Sequence, residues 1–97
     1  ANHNRMYLAF LDGEPKDTKA EDVLRAGIRF AEAHDYTWDA VNGGALLARL
    51  LRTRGQIDAA VAELTKTRET AREIGNRLVA DECDTALRAI AAGQTKA

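Results

Sequence analysis

A hydrophobic pattern that recurs along the chain constrains its fold more than any other feature. Slid on itself by 40 residues, Thr18–Tyr36 falls on Asp58–Asn76, and Ala20, Leu24 and Ala31 fall on Ala60, Leu64 and Ala71. The turn His34-Asp35-Tyr36 falls on Ile74-Gly75-Asn76. The stretch Val41, Gly44, Leu47, Ala48 and Leu51 recurs, at an offset of 39 or 40, as the stretch with Val79, Cys83, Ala86, Leu87 and Ile90. Within each stretch the apolar residues are three and four apart, which places them on one face of a helix. One helical hairpin cannot bury such a face alone. A repeat of this length calls for hairpins stacked on a shared core.

Local signals divide the chain into five expected helices, at about 4–12, 18–35, 38–53, 57–74 and 77–92. Gly13 and Pro15 close the first, because glycine takes the left-handed conformation that ends a helix and proline blocks continuation. Thr18-Lys19-Ala20-Glu21 reads as a capping box, the Thr hydroxyl and the Glu carboxylate each taking a free backbone N–H. Glu21 and Arg25 are four apart in the favourable order. Gly55, Gly75 and Gly93 terminate the later helices, and Asn76 caps the last. Gly43 and Gly44 lie inside a helix, where each costs about 1 kcal/mol relative to alanine. Close approach of a neighbouring helix is the expected reason.

The stretch Leu47-Ala48-x-x-Leu51-x-x-x-Gly55-x-Ile57-x-x-Ala60-x-x-x-Leu64 resembles the tetratricopeptide repeat family in its order of large, small, large, glycine, large, alanine and large positions. The family's tryptophan position holds Gly44, its small residue late in the second helix falls on Thr67, its closing proline is absent, and the period exceeds the usual length of about 34. The resemblance covers residues 18–93 and is closest to the long-helix repeats of large bacterial signalling proteins. It implies an all-α fold, with antiparallel hairpins stacked as a short right-handed α-solenoid of about two and a half repeats. It also implies a concave groove lined by the first helix of each hairpin. Carried over, the groove positions are Asn42, Ala45, Arg49 and Arg52 on one helix and Asp81, Asp84, Arg88 and Ala91 on the last. Asn42, Arg49, Arg52, Asp84 and Arg88 are the expected partner contacts, the arginines suiting a carboxylate or an acidic peptide.

Composition narrows the function further. Net charge is −1, with acids and bases intermixed, which gives no electrostatic pull toward nucleic acid. The longest apolar run, Met6–Leu11, is far below the roughly 20 residues that span a bilayer. A lone cysteine, Cys83, excludes an internal disulfide, and a reducing, cytoplasmic setting is the expectation. Ala1-Asn2-His3, without an initiator Met, reads as the start of a fragment of a longer protein, with a cloning scar as one source of those residues.

Catalytic chemistry finds little support. Cys83 falls on an apolar stripe, where packing is expected rather than nucleophilic attack. The acids Asp81, Glu82 and Asp84 lack the spacing of a calcium loop, and no His/Cys/Asp/Glu set has metal-ligand spacing. His34 sits where a helix C-terminus favours its cationic form. Gly43-Gly44 lacks the following Lys of a phosphate loop. No catalytic residue, metal or cofactor is expected. Tyr36 and Trp38 are expected to cover the core at a hairpin junction, the functional reading being an aromatic anchor for a partner.

The chain therefore reads as a protein- or peptide-binding module of a signalling or regulatory protein. A structural spacer and a non-catalytic part of a multidomain enzyme stay open as other readings. Tyr7, Leu8, Phe10 and Leu11 form an apolar end. It would serve self-association, including a homodimer through exchange of helices.

Overall fold

The computed structural model describes residues 18–94, and the helix expected at 4–12, with Tyr7, Leu8, Phe10 and Leu11, lies outside them. Among the described residues the chain is all-α, with four helices rather than five and no strand: α1 Thr18–Ala33, α2 Thr37–Thr53, α3 Ile57–Ile74 and α4 Arg77–Ala91. The bounds fall within about two residues of those expected, the usual fraying at helix ends.

All four helices stop in the same way. A residue in the left-handed conformation follows the last helical residue within two positions, at Asp35 (φ 58°), Gly55 (φ 80°), Gly75 (φ 81°) and Gly93 (φ 92°). The next N–H turns back to a carbonyl of the last turn: Tyr36 to Ala31 at 2.7 Å, Gln56 to Leu51 at 2.9 Å, Asn76 to Ala71 at 2.8 Å and Gln94 to Ala89 at 2.9 Å. These bonds satisfy carbonyls a helix end otherwise leaves open, and they fold each short connection into a reversal. At the start of α4, the Asn76 side chain accepts from the Val79 N–H at 3.1 Å, the expected cap.

Asp35 stands out, because it is the single non-glycine residue with positive φ among the described residues. A β-carbon is strained there, and a carboxylate at a helix C-terminus opposes the dipole. Asp35→Gly is therefore expected to raise unfolding stability by about 0.5–1 kcal/mol. Urea denaturation checks this through a higher midpoint at unchanged slope. An unchanged or lower midpoint would show that no strain resides at this turn.

Consecutive helices pack antiparallel, and α2 also touches α4, whereas α1 does not pack on α4. The array is thus open, a slab of 36 × 31 × 17 Å, and not a closed four-helix bundle. The recurring residues form its seam: Ala20, Leu24 and Ala31 in α1 and Ala60, Leu64 and Ala71 in α3 are all at most 4 % exposed. Leu24 and Ile28 meet Leu47, Leu50 and Leu51 of α2 in one cluster. Val41 and Ala48 of α2 meet Leu64 and Ala71 of α3 and Val79, Ala80 and Cys83 of α4 in a second. Helix α2 feeds both clusters, so it carries the continuity of the core.

Gly44 explains its own cost. A β-carbon there would overlap the Oγ1 of Thr67 on α3 and sit 3.4 Å from both the Cβ and the Cγ2 of that residue. The expected close approach is that of α3. The Glu21 carboxylate accepts from Arg25 Nε at 2.9 Å and from Arg54 Nη1 at 2.7 Å. The second of these bonds ties the α2–α3 turn to α1.

Candidate functional site

Two helices that share a seam leave a trough between them wherever the facing side chains are small. That happens between α2 and α4. Ala45, Arg49 and Arg52 of α2 face Glu82, Thr85, Ala86 and Ala89 of α4 across a groove of about 330 Å³. Leu64 of α3 and Cys83 close its floor. Alanines at the facing positions keep the space empty, and the two guanidinium groups supply its rim. One carboxylate, Glu82, stands against two arginines, so the lining carries a net positive charge.

Arg52 is half-buried near the C-terminal end of α2, and its Nη2 donates to the carbonyl of Gln94 at 3.3 Å. The end of α4 is thereby tied across the groove mouth. Arg49 is exposed, and its backbone carbonyl accepts from Thr53 Oγ1 at 2.9 Å.

Of the expected partner contacts, the structure brings Arg49 and Arg52 together in this groove, along with Ala45. Asn42 is half-buried on α2 outside the lining, and Arg88 is exposed near the end of α4, also outside it. Asp84 points toward α3. It accepts from Arg68 Nη1 at 3.2 Å and from Arg72 Nη2 at 3.0 Å. Partial burial pushes the Asp84 carboxyl up, but the hydrogen bonds from Arg68 and Arg72 outweigh this and hold it below its ordinary value.

This ion cluster fixes the rotation of α4. The groove wall is Glu82, Thr85 and Ala89 instead of the expected Asp81, Asp84 and Arg88, one residue along in each case. One residue is about 100° of helix rotation. A uniform offset of 40 from Asn42, Ala45 and Arg49 leads to Glu82, Thr85 and Ala89, so that choice of register would have found this wall from sequence.

Cys83 lies under the groove floor at 0 % exposure. Burial first, then the neighbouring carboxylates of Glu82 and Asp84, push its thiol up to about 11, with Arg68 acting the other way. The thiolate form a nucleophile needs is thus scarce at neutral pH. Among the described residues no group of three His, Cys, Asp or Glu side chains is placed to hold a metal ion, and no helix is long and apolar enough to cross a membrane.

Tyr36 and Trp38 do not cover the core: they are 51 % and 55 % exposed at the α1–α2 turn. His34 behaves as a helix-end residue, its ring Nδ1 lying 2.9 Å from the Phe30 carbonyl. A carbonyl only accepts, so Nδ1 carries the hydrogen. Comparisons with protein-family models, with curated proteins and with solved structures found no match for this chain.

Proposed function

We propose that the chain is a protein-interaction module whose α2–α4 groove takes an extended peptide bearing acidic side chains. In this reading the hairpins form a short tetratricopeptide-like solenoid, working in the cytoplasm as part of signalling or regulatory machinery and binding rather than catalysing. The observation that carries it is the placement of Arg49 and Arg52 over an apolar floor in one groove. Apolar side chains of the peptide would lie over Ala45, Leu64, Ala86 and Ala89, and its carboxylates would meet the guanidinium groups. Arginine suits that role because its planar fork matches a carboxylate in two parallel hydrogen bonds.

Fluorescence anisotropy of a labelled peptide alternating glutamate with leucine and alanine tests this. Arg49→Ala with Arg52→Ala is expected to weaken binding at least about tenfold, since each hydrogen bond to a charged group is worth about 1.5–3 kcal/mol. Helicity by circular dichroism should not change. Arg49→Ala alone leaves the Arg52–Gln94 contact in place and should show a smaller loss of the same sign. Equal capture by the double variant and the parent chain would refute the groove assignment.

A further inference from the structure

All four large hydrophobic side chains that stand exposed among the described residues lie at one edge of the array. Phe30 (43 %), Tyr36 (51 %) and Trp38 (55 %) flank the α1–α2 turn, and Leu78 (71 %) follows the α3–α4 turn. Among the described residues, the edge with the α2–α3 turn has none. Apolar area gathered in one place is costly to leave in water, and it marks a contact surface.

The two turns at this edge differ in a way that fits one to the other. At the repeat offset of 40, Trp38 corresponds to Leu78, each the second residue of its helix. At the same offset Asp35 falls on Gly75, and Thr37 falls on Arg77. One turn therefore joins an aromatic surface to a carboxylate, and the other joins an aliphatic side chain to a guanidinium group. Asp35 and Arg77 are both exposed, and neither side chain makes an ion pair or hydrogen bond among the described residues. The aromatic side is held in place: the Tyr36 ring stacks on His34 at 5.7 Å between centroids, and His34 lies against Phe30 at 4.1 Å. A preset surface loses little conformational freedom when something settles on it. Asp35 also keeps a carboxylate in a left-handed position that glycine takes at the other three helix ends.

We propose that this edge is a homodimer interface, occupied by a second copy of the chain. A two-fold axis across the edge lays the α1–α2 turn of one copy on the α3–α4 turn of the other. Trp38 then meets Leu78 of the second copy, and Arg77 donates to the Asp35 carboxylate of the second copy. Two-fold symmetry makes each of these contacts twice. Laying each turn on its own counterpart would instead set Asp35 against Asp35, where like charges repel. The slab is 17 Å thick, so its edge offers less than the roughly 800 Å² per partner of a stable interface. A reversible dimer with a dissociation constant of about 10–100 μM is expected. The interface uses no residue of the α2–α4 groove, and it stands whether or not that groove binds peptide.

Sedimentation velocity of the whole chain, from about 5 μM to about 1 mM, tests this. The chain is expected to pass from monomer to dimer over that range. Trp38 is its only tryptophan, and its emission should move to shorter wavelength in step. Arg77→Glu and Asp35→Lys should each weaken the dimer about tenfold, because each replaces two attractions by two repulsions. The two together in one chain should restore it, since both pairs re-form with their signs exchanged. Leu78→Asp should weaken the dimer by at least about the same factor while helicity holds, an acid being favourable at a helix N-terminus. That variant keeps the test decisive if Asp35→Lys disturbs its turn. A monomer throughout the range, a dimer that Leu78→Asp leaves intact, or a helical double reversal that stays monomeric would each overturn the proposal.

Discussion

Replacing Leu51 by alanine is expected to cost about 2–5 kcal/mol of unfolding stability, the range for truncating a fully buried leucine. Leu51 is 1 % exposed and packs in the cluster that joins α1, α2 and the start of α3. The truncation removes buried apolar surface and leaves a cavity that Leu24, Leu47 and Leu50 cannot close without moving α1 against α2. A domain of this size has about 5–10 kcal/mol in total, so the variant should populate unfolded forms at body temperature. Leu78→Ala is the control: at 71 % exposure it should change stability by no more than about 0.5 kcal/mol. Urea denaturation of the two variants measures the contrast. A Leu51→Ala cost below about 1 kcal/mol would mean that the shared seam does not hold the helices together.

That seam is the part of the fold the sequence displays most openly. Ala20, Leu24 and Ala31 repeat as Ala60, Leu64 and Ala71, and each pair proves buried alike. Helix ends were legible where glycine marks them, at Gly55, Gly75 and Gly93. Asp35 ends α1 in the same geometry, and there the repeated turn, rather than the residue type, carried the signal. The groove was half legible. Leu47, Leu50 and Leu51 give α2 a sharply defined stripe, which orients Arg49 and Arg52 beside it. Helix α4 carries Ala80, Ala86, Ala89 and Ala91 around its circumference, so its apolar face is broad and its rotation weakly specified. What fixes that rotation is Asp84 reaching Arg68 and Arg72, a contact between helices that local spacing does not reveal. Glu21 is a similar case: its partner Arg54 lies a whole helix away, and only the folded array brings the two within 2.7 Å.

Gly44→Ala is expected to destabilise the chain although helix propensity argues the other way. On propensity alone, alanine inside a helix gains about 1 kcal/mol over glycine. Here the added methyl meets Thr67, which is 4 % exposed and has no open space to yield into. Threonine is branched at Cβ, so turning its hydroxyl away swings the methyl group toward the same spot. Overpacking of this kind costs about 1–3 kcal/mol, which outweighs the propensity gain. Thr67→Ala should rescue the variant, since it removes the overlapping atoms and leaves two good helix formers facing each other. The double variant is then expected to exceed Gly44→Ala alone by about 2 kcal/mol, a coupling that independent sites do not show. Plain additivity of the two substitutions in urea denaturation would rule out the contact. The pair also bears on binding. Gly44 precedes Ala45 on α2, and Leu64 lies one turn before Thr67 on α3, and Ala45 and Leu64 both line the groove. Forcing α2 away from α3 widens that floor, so Gly44→Ala should weaken capture of the acidic peptide and Thr67→Ala should restore it. A loss of binding that the second substitution did not reverse would separate the groove from the packing beneath it.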